Sequence, residues 1–249
     1  MPSSIGIFIP TRLNSRRLPR KALIDINGKP LIPHVYLNAH RAAIECGLSV
    51  DIKVCTDSEE IIAYLASYNI PFLRTSSRPS NGTERIAEAY QSHNLCYDYI
   101  LDLQGDEPFV NHEILSVVTN NLFQLSPHDP TIILPHQLIS AEQATSNSII
   151  KLVTTPAGNV LYMSRAVIPS HHKEPAPLSY KKHLSLIGFT NTALAAYSTF
   201  YPQSCESFED IELLRALEHN IKIISPYSAS ETFSIDSPDD LEKAREILF

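Results

Sequence analysis

The chain has only four cysteines, Cys46, Cys55, Cys96 and Cys205, and they lie far apart with no CxxC pair. That spacing offers no zinc-ligand pattern. Cys55 and Cys96 fall in or near apolar segments and read as reduced, partly buried thiols. No apolar run approaches the roughly 20 residues of a membrane-spanning helix. The strand after Ser4 is too short for the apolar core of a signal peptide, so the expected compartment is the reducing cytoplasm. Positive charge is also short. With 20 Lys and Arg against 27 Asp and Glu, the formal net charge is −7, which argues against the broad basic surface that a nucleic-acid polymer needs. There is no internal repeat, no low-complexity tract, and no Ser-His-Asp or Cys-His arrangement.

The few cations that exist are concentrated. Residues 9–23 read IPTRLNSRRLPRKAL and carry Arg12, Arg16, Arg17, Arg20 and Lys21. They follow the apolar run Ile5-Gly6-Ile7-Phe8-Ile9, which reads as a buried first strand. Like charges crowded past a strand end tolerate one another best around a polyphosphate; the plainer alternative is a solvated basic loop.

Further strand-like runs fall at 51–55, 70–74, 99–103, 131–134, 149–153, 184–190 and 221–224. Helical spacing appears at 31–46, 58–67, 82–92, 110–124, 206–219 and 237–248. Strand and helix alternate over the first half. The fold class is therefore α/β, a mainly parallel, Rossmann-like sheet with helices on both faces. At 249 residues and 43% hydrophobic content the chain can build a sizeable core, taken here as one domain over 1–249. Right-handed crossovers bring the loops after residues 9, 55 and 103 to one edge of the sheet. From about 155 to 190 the pattern turns strand-rich, with a Pro/His stretch at 168–180, which predicts an antiparallel excursion or arm in the second half.

The strand at 99–103 runs into Gln104-Gly105-Asp106-Glu107-Pro108. Gly105 permits close backbone approach, and Asp106 then faces the basic loop. A carboxylate beside a phosphate cradle is what Mg²⁺ uses. Asp236, in Ile235-Asp236-Ser237-Pro238, is a second candidate ligand; its alternative is a helix cap.

IPTRLNSRRLPRKAL, INGKPLIPHVY, NGTERIAEA, LDLQGDEPFV, LYMSRAVIP, KKHLSLIGF, EDIELLRALEHN and IDSPDDLEKAREIL follow one another in the order of a known enzyme family. Over about residues 5–249 the chain resembles the CMP-Kdo synthetases (3-deoxy-manno-octulosonate cytidylyltransferases), of nucleotide-diphospho-sugar transferase fold. The resemblance implies transfer of CMP from CTP to an acidic sugar, with release of pyrophosphate. It implies that Thr11, Arg12, Arg17, Lys21, Thr83 and Arg85 border the nucleotide. Asp106 and Asp236 would bind Mg²⁺, making them and Lys21 the catalytic set. Gln104, Arg165, His183 and Glu212 would meet the acceptor. It also implies a homodimer, for which 155–200 is the expected contact and acceptor-binding region. Arg165 suits a carboxylate because its planar fork can take both oxygens; a surface salt bridge is its alternative, and Lys181 and Lys182 read equally well as solvated.

Three positions depart from the family pattern. Arg20 stands where the family has glycine, Ile187 where it has tyrosine and Leu213 where it has glutamine. The last two exchange hydrogen-bonding side chains of the sugar pocket for aliphatic ones, at about 1 kcal/mol for each lost bond. The expectation is retained cytidylyl transfer with the acceptor open: Kdo, another acidic sugar, or a smaller acid such as a phosphonate. A same-fold enzyme using another NTP and a degenerate nucleotide-binding protein are the remaining alternatives.

Overall fold

A computed structural model describes residues 4–13, 15, 18–172 and 179–248. Arg16, Arg17 and the middle of the Pro/His stretch lie outside the described residues.

The first half alternates as the sequence predicts. β1 (Ile5–Pro10) leads through a 3₁₀ turn (Lys21–Leu23) and the two-residue strands β2 (Asp25–Ile26) and β3 (Lys29–Pro30) to α1 (Leu31–Glu45). Then come β4 (Asp51–Thr56), α2 (Glu59–Ser67), β5 (Phe72–Arg74), α3 (Gly82–Ser92), β6 (Tyr99–Leu103) and α4 (His112–Leu122). Helix starts follow capping chemistry: Ser58, Asn81 and Asn111 each accept an N–H of the first turn.

The second half continues with β7 (Thr131–Ile133), β8 (His136–Ile139), α5 (Ala141–Ala144), β9 (Lys151–Thr154), β10 (Val160–Ser164), β11 (Tyr180–His183) and β12 (Leu186–Thr190). It ends with α6 (Asn191–Tyr197), α7 (Ser204–Glu209), α8 (Leu214–Glu218), β13 (Lys222–Ile224) and α9 (Pro238–Ile247).

Seven strands form the central sheet in the order β13-β7-β12-β6-β1-β4-β5. Neighbours are parallel except β12, which runs antiparallel to both β6 and β7. A separate antiparallel sheet, β10-β9-β11-β8, is the excursion. It begins near residue 136, earlier than expected. The run expected at 184–190 is β12, which enters the main sheet, while β11 just before it, not among the expected strands, joins the small sheet. The single helix expected at 206–219 is broken by Asp210 in the left-handed region, φ 53°. Cys55 is buried as expected, but Cys96 is exposed, because it sits in the connection between α3 and β6 rather than within a packed element. Among the described residues no helix is long and apolar enough to cross a membrane.

Two apolar cores sandwich the central sheet. One packs α1 and α4 against Ile7, Ile9, Leu101 and Leu103; the other packs α3, α6 and α8 against Phe8, Ile100, Ile187 and Phe189. The alternation along β1 divides its side chains between the two. These layers fix the strand ends that carry the site.

Candidate active site

The loops after β1 and β6 meet at the C-terminal edge of the sheet. A Cβ at Gly105 would lie 2.8 Å from the Pro10 carbonyl oxygen and 3.3 Å from Thr11 Cβ, so only glycine lets the loops close to this distance. Thr11 is buried, its N–H donating to the Cys55 carbonyl at 2.9 Å.

Lys21 leaves the basic loop and meets both acids. Its Nζ donates to Asp106 Oδ2 at 2.6 Å and to Asp236 Oδ1 at 2.8 Å. The two carboxylates raise the lysine pKa, outweighing the opposing effect of burial, which is the largest single influence. Asp236 is not the cap of α9. Ser237 caps that helix, accepting from Asp240 N in a reciprocal capping box, and this leaves the Asp236 carboxylate for Lys21. Residues far apart in sequence thus converge within the span of one ammonium.

Two clefts meet there. The smaller, about 380 Å³, is lined by Thr11, Arg12, Ser15, Lys21, Arg85, Gln104 and Asp106. The larger, about 660 Å³, holds Arg165, Lys182, His183, Ile187, Glu212, Leu213, Asp236 and Asp240. Arg12, Ser80, Asn81, Gly82, Gln104, Asp106 and Asp210 line both. Another cleft of about 670 Å³ lies at the opposite end of the strands, where Asp51 is the one charged lining residue described; it lacks the convergent cations of the first two.

The other expected site residues are placed as follows. Arg85 lines the smaller cleft, but its Nη1 is spent on Thr75 Oγ1, the Ser76 carbonyl at 3.2 Å and Asp57 at 3.1 Å. Thr83 is fully buried below the cleft. Its hydroxyl donates to Asp102 at 3.2 Å and its N–H to Glu212 at 3.1 Å. Gln104 Nε2 donates to Asp102 Oδ1 at 2.9 Å. Arg165 donates through Nε to the Glu209 carbonyl at 2.8 Å and through Nη2 to that of Asp210 at 3.0 Å; the Asp210 carboxylate is 3.9 Å away. His183 is neutral at pH 7: burial, then Lys182, pushes it down to about 4.

A family model described as cytidylyltransferase matches residues 6–223. The 3-deoxy-manno-octulosonate cytidylyltransferase of Chlorobium limicola is 33% identical over 243 residues, 97% of this chain and 96% of that protein. The protein of the same name from Syntrophobacter fumaroxidans is 35% identical over 246 residues, 98% and 96% of the two chains. A solved CMP:2-keto-3-deoxy-manno-octonic acid synthetase complexed with CTP superposes with a TM-score of 0.87, at 31% identity, covering 99% of this chain and 98% of that one. The chain belongs to the cytidylyltransferase family.

In this cytidylyltransferase Arg20 does not crowd the basic loop. It adopts the left-handed conformation, φ 59°, that glycine takes freely, and its guanidinium turns outward to pair with Glu60 on α2. Ile187 and Leu213 are both buried in lining the larger cleft.

Sequence reasoning passed over Asp102, although a charged residue in the apolar strand Tyr-Ile-Leu-Asp-Leu is itself a signal. It also passed over Arg215, which is buried among Glu206 and Glu84 and packs its guanidinium 4.8 Å from the Tyr197 ring centroid. Asn81 links this cluster to the cleft wall through Tyr197 and Glu206.

Proposed function

We propose that this cytidylyltransferase transfers CMP from CTP to 3-deoxy-manno-octulosonate, releasing pyrophosphate, with Mg²⁺ as cofactor. The observation that carries the reading is the convergence of Lys21, Asp106 and Asp236 where the two clefts join. The relatives bearing the Kdo name match over the whole chain, which favours Kdo over another acid and over a degenerate binding protein.

The donor set fits Mg²⁺. Two carboxylates within reach of one ammonium can hold a small cation whose other positions go to phosphate oxygens and water. Among the described residues no group of three or more His, Cys, Asp or Glu side chains is placed to hold a metal ion. Bound by Asp106 and Asp236, the ion would supply charge neutralisation at phosphate and a lower pKa for the attacking hydroxyl.

The protein's own side chains do the rest. The anomeric hydroxyl loses its proton to water, and its oxygen forms a bond to the α-phosphorus as the bond from that phosphorus to the bridging β-phosphate oxygen breaks, and pyrophosphate leaves with the electron pair. Lys21 and Arg12 neutralise the triphosphate. Gln104, held by Asp102, faces the junction and orients the acceptor. Alignment and fixed charge are the main demands of in-line displacement. Arg85 holds the cleft wall through Asp57 and Thr75 rather than meeting phosphate.

The test is pyrophosphate release from CTP, UTP, ATP and GTP against a panel of acids, with and without Mg²⁺. The reading expects activity with CTP, Kdo and Mg²⁺ together; activity with another acid and none with Kdo refutes the assigned acceptor. A homodimer through the 155–200 region, where Leu161 is exposed, is part of the same reading and is checked by sedimentation equilibrium.

A further inference from the structure

An acid acceptor brings negative charge into a cleft already lined by Asp106, Glu212, Asp236 and Asp240. Some cation must meet it. The cations of this region are mostly committed. Lys21 is shared by two carboxylates. Arg165 gives its Nε and both terminal nitrogens to backbone carbonyls. His183 carries no charge near pH 7. Arg12 belongs to the phosphate loop that both clefts share.

Lys182 is different. It lies on β11, lines the larger cleft and is half-buried. Among the described residues its ammonium enters no ion pair and no hydrogen bond. Burial works against its charge, while Glu107 and Asp240 favour it from a distance. Neither is hydrogen-bonded to it: Glu107 accepts from the Ser234 hydroxyl, and Asp240 from that of Ser237 at 2.7 Å. A half-buried ammonium without a close partner is costly, and an incoming carboxylate removes that cost.

We propose that Lys182 receives the carboxylate of the acid acceptor and so sets the requirement for an acid. This rests on the acid-acceptor reading above. Arg165 then acts as a loop clamp, and His183 as a neutral hydrogen-bonding group, rather than as the carboxylate's counter-ions.

The experiment compares wild type, Lys182→Met and Lys182→Arg, using Kdo and its C1 amide as acceptors at saturating CTP and Mg²⁺. CTP binding without acceptor and thermal melting are measured on each protein. The expected result is a tenfold or greater rise in KM for Kdo in Lys182→Met, with CTP affinity within twofold of wild type. Lys182→Arg should recover most of the loss, and the preference of wild type for acid over amide should collapse in Lys182→Met. Equal losses for acid and amide, or a Kdo KM within twofold of wild type, overturn the proposal. If wild type uses another acid instead of Kdo, the Kdo reading fails, yet the same acid-to-amide comparison with that acceptor still decides Lys182. Failure of every acid overturns both.

Discussion

Asp102, buried, and Glu212, half-buried, share one threonine, Thr83, which gives its hydroxyl to the first and its backbone N–H to the second. Burial, and then the Glu212 charge, hold the Asp102 pKa well above the ordinary carboxylate value; burial raises Glu212 as well. A carboxyl group with a raised folded pKa stabilises the fold fully below its unfolded pKa of about 4, and that contribution is lost as pH climbs through the folded value. Asp102→Asn removes the titration while keeping the shape. The variant should melt at a higher temperature than wild type at pH 8, and the difference should shrink towards pH 4. Thermal melts across that range check it; a difference independent of pH would refute the shared-burial account.

Lys21 holds two carboxylates that would otherwise repel each other across the site. Lys21→Met should lower kcat by about 10²–10³, the usual effect of deleting one fixed stabiliser of transition-state charge. Asp106→Asn and Asp236→Asn should each raise the Mg²⁺ concentration needed for half-maximal rate, and chelation should abolish turnover. Initial-rate titrations with Mg²⁺ distinguish these effects. An unchanged Mg²⁺ dependence in both carboxylate variants would remove them as ligands.

The chemistry-bearing strand ends were legible because β1, β4 and β6 are short apolar runs bounded by polar loops. Asp106 and Lys21 stood out as charges placed just beyond such runs. Asp236 was ambiguous, since Asp and Ser are both good helix caps, and only the three-dimensional capping box assigns that role to Ser237. Strand β11 was hidden for a different reason. Tyr180-Lys-Lys-His183 has no apolar alternation, and its place in the small sheet comes from pairing with β8 and β9. The break between α7 and α8 lies at Asp210, a residue whose left-handed conformation no local pattern announces. The committed state of Arg85 and Arg165 was equally out of reach, because their partners come from distant segments or from backbone carbonyls.

Arg20 offers a test on the backbone alone. Its left-handed conformation costs an L-residue roughly 1–2 kcal/mol relative to glycine, partly offset by the greater unfolded-state entropy of glycine. The exposed pair with Glu60 returns about 0–1 kcal/mol. Arg20→Gly should therefore be more stable than Arg20→Ala by on the order of 1 kcal/mol in chemical denaturation. Both should keep the wild-type KM for CTP, since the side chain faces α2. A rise in that KM for both variants would show that Arg20 reaches the triphosphate.

Gly82 tests how tightly Gln104 must be held. A Cβ at Gly82 would lie 3.0 Å from Gln104 Nε2, 3.3 Å from its Oε1 and 3.1 Å from Pro10 Cγ. The Gln104 amide is the end of a flexible side chain, so it would yield before the proline ring. Gly82 opens α3, where alanine is intrinsically favoured over glycine, so Gly82→Ala should leave the melting temperature nearly unchanged. Its cost should appear in the reaction instead. Displacing the amide at the junction of the two clefts should lower kcat by about tenfold and raise the acceptor KM, since small misplacements of an orienting group are expensive. CTP binding, assigned in the proposed function to Lys21 and Arg12, should change by less than about twofold, well under 1 kcal/mol. Steady-state kinetics with each substrate varied in turn, together with a melt, would decide. A stable variant with wild-type kcat would mean that the orientation of Gln104 is not used in the transfer.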